Sequence, residues 1–220
     1  MTQIICLANS WKRGERCIAG IDLKTRNWIR PVYDRLKGGC VPKNVRWING
    51  KEPQILDVID LPLDKNCSPS GFALENRKIS TGSWQKIGIV KPHRLIKCSN
   101  FCLPILHNNK RYVTVSFLES LPFYQRRTLQ LVYTSKLEIT QEFKSDGRSK
   151  WKGTLINNFG YKLENASITD PEFVKRLELG ERPRNPSLIT VSLSLPFRPH
   201  KNWLGGDPCW KLIAGVIELA

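Results

Sequence analysis

The pattern of apolar residues predicts a mostly β protein, built from two small barrels that follow one another along a chain of 220 residues. Most apolar runs are short and alternate with polar residues, as strands with one buried face do. Each half also shows the same order of elements: three strands, a connecting segment and two further strands. One larger mixed β domain is the alternative, because no sequence repeat links the halves and the duplication depends on element order alone.

The first half has short strand patterns separated by turns that contain Lys, Arg and Gly. The predicted strands are, in order, Ile4–Ala8, Arg16–Asp22, Asn27–Tyr33, Gln54–Leu63, Phe72–Ile79 and Trp84–Val90. A looser stretch, Asp34–Glu52, separates the third from the fourth. As a five-stranded barrel, this half would use the strands near residues 4, 17, 28, 55 and 86. Residues 92–110 are irregular, and Ser116–Arg127 is a short helix candidate that Pro122 interrupts.

The second half has clearer signals for each element. The predicted strands are Leu129–Thr140, then Trp151–Asn157 and Tyr161–Glu164 as a hairpin, and finally Ser187–Phe197 and Cys209–Leu219. A helix is predicted at Pro171–Leu179, with Thr169 or Asp170 as its N-cap, Pro171 in its first turn and Gly180 just past its end.

Three strands, one helix and two strands, in that order, are the topology of the OB fold, a small Greek-key barrel. The sequence therefore predicts two tandem OB-fold-like Greek-key barrels with one short helix in the second. We expect an N-terminal barrel with its connecting segment at residues 1–115, and a C-terminal barrel at residues 116–220.

Segments at both ends of the chain resemble one known family. They are Cys6-Leu7-Ala8-Asn9-Ser10, Arg16-Cys17-Ile18-Ala19-Gly20, Trp28-Ile29-Arg30-Pro31-Val32, Ser194-Leu195-Pro196-Phe197 and Asp207-Pro208-Cys209-Trp210-Lys211-Leu212-Ile213-Ala214. These resemble the opening and closing strands of the bacterial dual-OB-containing domain. The resemblance implies a pair of OB barrels and nucleic-acid binding, in genes often linked to defence against phages and mobile elements. It carries no catalytic residue over to this chain.

The positive charge of the chain is concentrated near its N-terminus. Residues 1–51 hold eleven Lys or Arg and three acids, which is +8 of the formal net charge of +16. Trp11, Trp28, Tyr33 and Trp47 lie among these cations. Because cations attract phosphates and flat rings stack on bases, the combination indicates a nucleic-acid surface.

The candidate nucleic-acid-binding residues are the cations and tryptophans of this segment. They are Trp11, Lys12, Arg13, Arg16, Arg26, Trp28, Arg30, Arg35, Lys43, Arg46 and Trp47. Arg26, Trp28 and Arg30 share strand parity and so point to one side, where an outward Trp28 would be a stacking ring between two guanidinium groups. The alternative is that the tryptophans belong to the core and that the charges form a solvated face.

Two smaller basic points lie in the second half, Arg126-Arg127 and Arg182 with Arg184. Each either extends a phosphate track or solvates a turn, and the sequence does not decide between these two roles.

Catalytic and metal chemistry have less support. Asp57, Asp60 and Asp64 fall on or beside one strand, whereas a metal-dependent nuclease needs carboxylates clustered around its cations. No catalytic triad or phosphate-binding loop is present in the sequence. His93, Cys98, Cys102 and His107 include only residue types that ligate zinc, but their spacing is compressed and unligated side chains are the preferred interpretation. We expect no enzyme, cofactor or metal.

The seven cysteines form an odd set without disulfide-framework spacing, and no secretory signal or apolar run of about 18 residues is present. We therefore expect a cytoplasmic protein with reduced thiols and no membrane partner. The leading function is non-enzymatic binding of single-stranded RNA or DNA. The alternative is an interaction subunit that docks onto a larger protein or ribonucleoprotein complex, using Ser187–Phe197 and the closing strand as an edge or apolar surface.

Overall fold

A computed structural model describes residues 1–12, 14–33, 40–64, 72–99, 104–143 and 149–219. The strands are β1 (Thr2–Lys12), β2 (Glu15–Asp22), β3 (Trp28–Val32), β4 (Asp57–Leu61), β5 (Asn76–Lys78), β6 (Gln85–Ile89), β7 (Tyr112–Thr114), β8 (Leu129–Phe143), β9 (Ser149–Asn157), β10 (Lys162–Ile168), β11 (Ser187–Leu193) and β12 (Pro208–Glu218). The helices are α1 (Lys43–Arg46), α2 (Val115–Ser120) and α3 (Pro171–Glu178), with 3₁₀ turns at Pro92–Cys98, Ile105–His107 and Phe123–Gln125.

The first barrel is a ring of five strands. β1, β2 and β3 form an antiparallel meander, β3 pairs in parallel with β5, and β1 pairs with β4. A bridge between Leu63 and Ile79 joins the chain after β4 to the chain after β5 and closes the ring. The predicted fifth strand near residue 86 is corrected, because that segment is β6, which adds to the outside of β4. The fifth barrel strand is β5, inside the predicted strand Phe72–Ile79.

The second barrel repeats the same pairing order. β8, β9 and β10 form the meander, β11 pairs with β8 and β12, and β10 pairs in parallel with β12 to close the ring. α3 connects β10 to β11, as predicted. The Asp170 carboxylate caps this helix by accepting from the backbone N–H groups of Glu172 and Phe173, at 3.1 and 3.2 Å. The prediction of two tandem OB barrels is confirmed.

Alternation along the strands places a core inside each barrel. Ile4 and Cys6 of β1 point into the first barrel, with Ile18, Ile29 and Ile59. The second barrel encloses a separate core that includes Leu137, Leu155, Phe173, Ile189 and Ile213. Val113 of β7 packs in this second core, and β7 pairs with β12. The division of the chain near residue 115 stays a prediction.

The two barrels pack against each other through the outer face of β1. Ile5 and Leu7 alternate with the core residues of β1 and lie in one buried cluster with Leu131, Leu188 and Ile217 of the second barrel. The Thr190 hydroxyl donates to the Leu7 carbonyl at 2.7 Å. The backbones approach so closely here that a Cβ on Gly215 would overlap the Leu7 carbonyl oxygen. β1 is therefore buried on both faces, which explains its nearly continuous apolar run.

No helix in the part of the chain described by the structure is long and apolar enough to cross a membrane.

Candidate functional site

In the first barrel, the interface between the barrels covers the surface that a single OB barrel ordinarily offers to a ligand. That surface is the outer face of the second and third strands with the loops beside it. In the first barrel, Ile21 of β2 and Trp28 of β3 pack in the cluster shared with the second barrel. A ligand cannot lie across that face of the first barrel, whose accessible surface begins at the margin where the barrels meet.

A groove of about 820 Å³ lies at this margin, and we call it the interbarrel groove. The first barrel contributes the β2–β3 turn and β5, the 3₁₀ turn at Pro92–Cys98 contributes one side, and the chain that leads into β8 contributes the other. Its functional side chains are those of Arg26, Trp28, Glu75, Arg77, Lys97, Phe123, Tyr124, Arg126, Arg127 and Thr128.

Five cations line the interbarrel groove, and none forms an ion pair with any residue that the structure describes. Arg77 donates to the carbonyls of Leu74 and Asn76, at 2.6 and 2.8 Å. Arg126 donates to the carbonyls of Leu121 and Glu119, at 3.1 and 2.8 Å. These bonds fix the direction of both guanidinium groups and leave their charge uncompensated.

Arg127 is the most exceptional of the five. Its side chain is half-buried, and that burial lowers the pKa of its guanidinium group. It forms no side-chain hydrogen bond within the described ranges. Because a partly desolvated charge without a partner costs free energy, an anion bound in the interbarrel groove would recover that cost.

Glu75 is the one acidic residue among the described lining residues of the interbarrel groove, and its charge is already neutralised. The Arg30 guanidinium lies 3.4 Å from the Glu75 carboxylate, and both side chains are buried. Arg30 also donates to the Thr128 hydroxyl of the second barrel at 3.0 Å, and Thr128 in turn donates to Glu75. This pair therefore joins the barrels and does not repel a polyanion in the groove.

The expectation of an outward side bearing Trp28 and Arg30 is thereby corrected. The two side chains do share a side, but that side faces the second barrel, and Arg30 is only 6% exposed. Trp28 is half-buried against the interbarrel clusters and reaches the groove with part of its surface. Arg26, in the turn before β3, is exposed and lines the same groove.

Exposed aromatic rings complete the interbarrel groove. Tyr124 is 79% exposed and Phe123 is 55% exposed, although both side chains are large enough to favour burial. The Arg126 guanidinium lies 6.0 Å from the centre of the Phe123 ring. Flat rings beside unpaired cations are what a single-stranded nucleic acid needs for stacking and for phosphate contacts.

The remaining predicted residues form two clusters away from the interbarrel groove. Trp11 is half-exposed, with the Arg16 guanidinium 4.1 Å from its ring centre, and Arg16 itself is buried. Lys12 ends β1 nearby. Arg13 and Arg35 lie outside the residues that the structure describes.

The second cluster is centred on Arg46, which is buried and paired with two carboxylates. Its guanidinium lies 2.5 Å from Glu15 and 2.7 Å from Glu52. Burial opposes the charge on Arg46, but the hydrogen bonds to Glu52 and Glu15 outweigh it and raise the pKa of Arg46. Lys43 lies over the Trp47 ring, 3.8 Å from its centre. Arg46 is thus a structural charge, and the prediction that it contacts nucleic acid is corrected, because its side chain is buried and paired.

Sequence reasoning did not single out Arg77, Lys97, Phe123 or Tyr124, and it left Arg126-Arg127 undecided. A signal was present in the run Phe123-Tyr124-Gln125-Arg126-Arg127, where two rings directly precede two cations. Its link to Arg26 and Trp28 could not be seen, since about 100 residues separate them and only the packing of the barrels brings them together.

The zinc candidate His93, Cys98, Cys102 and His107 does not come together as a ligand set in the described part of the chain. Cys102 lies outside the described residues, and among the described ones no group of three or more His, Cys, Asp and Glu side chains converges. His107 instead makes a 2.7 Å hydrogen bond through Nε2 to the Arg127 carbonyl.

Two closed OB barrels joined face to face, with a cationic groove at their junction, define a double-barrel binding protein. The chain belongs to the family of the dual OB-containing domain, whose model matches residues 2–216. The resemblance seen in the terminal strands is confirmed. Comparison with curated proteins and with solved structures finds no match. Domains of this fold are generally non-catalytic modules that bind nucleic acids or proteins.

Proposed function

We propose that this protein binds single-stranded nucleic acid, RNA or DNA, in the interbarrel groove and does so without catalysis. The observation that carries the proposal is the set of five cations with no ion-pair partner among the described residues, one of which, Arg127, is partly desolvated. A surface held in this state has a net affinity for a polyanion before any base is recognised.

The proposed mechanism has two parts. Arg26, Arg77, Lys97, Arg126 and Arg127 contact phosphates along the groove, releasing counterions from the strand. Tyr124 and Phe123 then stack on bases, at about 1–3 kcal/mol per base. Stacking needs unpaired bases, so the rings favour a single strand over a duplex.

Duplex reading in the major groove has less support. It ordinarily uses a helix whose side chains reach base edges. The longest α-helix of the described chain, α3, has eight residues and buries Phe173 and Leu177 in the second barrel. Cytoplasmic placement and a role in bacterial defence belong to the proposal as well, the latter supported by the family resemblance alone.

A protein-docking role is the second candidate function. The predicted edge is corrected, because β11 pairs on both sides with β8 and β12, and β12 pairs with β11, β10 and β7. The segment between β11 and β12 nevertheless carries exposed apolar side chains, since Phe197 is exposed and Leu204 is 99% exposed. Such side chains could contact a protein partner.

The test is a fluorescence anisotropy titration of the full chain with labelled single-stranded RNA, single-stranded DNA and duplex, at two salt concentrations. The proposal expects the single strands to bind more tightly than duplex and to weaken steeply with salt. The double variant Arg126→Gln/Arg127→Gln should bind weakly, whereas Arg182→Gln/Arg184→Gln, which removes the same charge at exposed positions elsewhere, should bind almost as the wild type does. Absence of binding, salt-insensitive binding, or equal loss in both variants would overturn the proposal.

A further inference from the structure

A second cavity, of about 680 Å³, opens on the first barrel between the C-terminal end of β3, α1 and the segment that follows β5. We call it the aromatic pocket, and its defining side chains are Tyr33, Trp47, Ser80, Thr81, Ser83 and Trp84. It shares no lining residue with the interbarrel groove. Its volume lies in the range of about 300–1,000 Å³ that small-molecule sites occupy.

The three rings of the aromatic pocket are held in different ways. Trp84 is almost fully buried in the core of the first barrel, and Tyr33 packs against the same core. Trp47 follows α1 and is 37% exposed. The pocket therefore has a fixed aromatic wall and one accessible ring.

Trp47 is positioned by the charged cluster around Arg46. Its indole N–H donates to the Glu52 carboxylate at 3.0 Å, and Arg46 holds the same carboxylate with three hydrogen bonds of 2.7–3.1 Å. Lys43 lies over the ring at 3.8 Å. With one face occupied and one edge anchored, Trp47 offers its opposite face as a preorganised stacking surface, which lowers the entropy cost of binding.

The polar groups of the aromatic pocket are neutral or positive. The hydroxyls of Ser80, Thr81 and Ser83 form no side-chain hydrogen bond to another described residue, so they are available to a ligand. Lys78 is the one charged side chain among the described lining residues, and no carboxylate lines the pocket there. Rings and hydroxyls, with no carboxylate among the described lining residues, suit a flat heteroaromatic ligand and do not repel an anionic group on it.

We propose that the aromatic pocket binds a single nucleotide, with its base stacked on Trp47 and its polar edge or ribose hydrogen-bonded to the Ser80–Ser83 turn. Such a nucleotide is either free or the end of a strand. This goes beyond strand binding in the interbarrel groove, because it assigns a separate site with separate residues. Trp47 thereby gains a role in binding, and Arg46 and Glu52 become positioning residues for it.

The experiment titrates the full-length protein with adenosine, guanosine, cytidine and uridine 5′-monophosphates, followed by isothermal titration calorimetry and by saturation-transfer NMR. At least one nucleotide should bind saturably to the wild type. Trp47→Ala should weaken that binding by about 5- to 150-fold, the range expected for loss of one stacked base. Trp47→Phe keeps a ring and should recover most of the affinity.

Two controls keep this test separate from the test of the interbarrel groove. Arg126→Gln/Arg127→Gln should bind the mononucleotide as the wild type does, and Trp47→Ala should bind a circular single strand, which has no end to enter the pocket, as the wild type does. Displacement of the mononucleotide by a 5′-phosphorylated oligonucleotide would identify a strand end as the source, and its absence a free nucleotide. Lack of saturable binding to the wild type, or loss with the arginine variant and not with Trp47→Ala, would overturn the assignment.

Discussion

Replacing Arg126 and Arg127 together by glutamine removes two of the five groove cations while keeping polar side chains that can donate hydrogen bonds. For a single strand, the logarithm of the binding constant falls with the logarithm of salt concentration by about 0.7 per phosphate contact. If all five cations contact phosphates, the wild type should show a slope of about −3.5, and the double variant about −2.1. The lost share of about 1.4 corresponds to ~25-fold weaker binding at 0.1 M salt, relative to a 1 M reference.

The assay is anisotropy of a labelled single strand, measured across about 50–200 mM salt, where counterion release dominates the change in affinity. Arg182→Gln/Arg184→Gln is the matched control, since it lowers the net charge equally but at exposed sites outside the groove. Thermal unfolding of both variants checks that the carbonyl contacts of Arg126 are dispensable for folding. A slope unchanged from the wild type would show that these two arginines do not contact phosphate, and the reasoning from the groove would fail.

Three further perturbations test how the interface and the second barrel are packed. Gly215→Ala should destabilise the protein by about 1–3 kcal/mol in urea unfolding, because its Cβ meets the Leu7 carbonyl of β1. In the control Gly88→Ala the new Cβ lies 3.9 Å from its nearest neighbour, on Val58, so its stability should stay within about 0.5 kcal/mol of the wild type. Glu75→Ala should lower the free energy of unfolding by about 3–5 kcal/mol, because it leaves the buried Arg30 charge without its carboxylate, yet oligonucleotide affinity should not fall. A loss of stability below about 1 kcal/mol, the size expected for a surface ion pair, would contradict this. Burial lowers the pKa of Lys211 to about 7, so the folded chain binds fewer protons than the unfolded chain above that pH. The unfolding free energy should therefore rise with pH from about 7 towards 10.5. Lys211→Met should remove this rise in pH-dependent unfolding curves.

Much of the fold could be predicted from the sequence because its signals are local. Asp170, Pro171 and Gly180 mark the ends of α3, and the apolar–hydroxyl alternation of β11 corresponds to Ile189, Val191 and Leu193 in the core of the second barrel. The fifth barrel strand was assigned to the wrong segment for a physical reason. β5 has three residues, Asn-Arg-Lys, all half-buried, and so shows no alternation of apolar and polar residues. The longer run near residue 86 has the sequence pattern of a barrel strand, although it pairs on the outside of β4.

The site was less predictable, since it depends on which charges find partners. Arg46 meets Glu15 and Glu52, and Arg30 meets Glu75, across separations of 6 to 45 residues that no local pattern reports. Four lining residues of the groove, Phe123, Tyr124, Arg126 and Arg127, also lie far from the N-terminal segment where the charge is concentrated. Composition correctly indicated excess positive charge but not where that charge is left uncompensated.

The location of the proposed site follows from the two-sided burial of β1. A solitary OB barrel can leave the outer face of its second and third strands, which lies beside the first, to a ligand. Here Ile5 and Leu7 make the outer face of β1 apolar, so burying it against the second barrel is favourable, and Trp28 and Arg30 are buried with it. Ligand contacts are thereby displaced to the edge of the interface, where both barrels supply cations. A strand bound there would touch both barrels at once, so that disruption of the interface at Gly215 should weaken nucleic-acid binding even though Gly215 itself lies outside the groove.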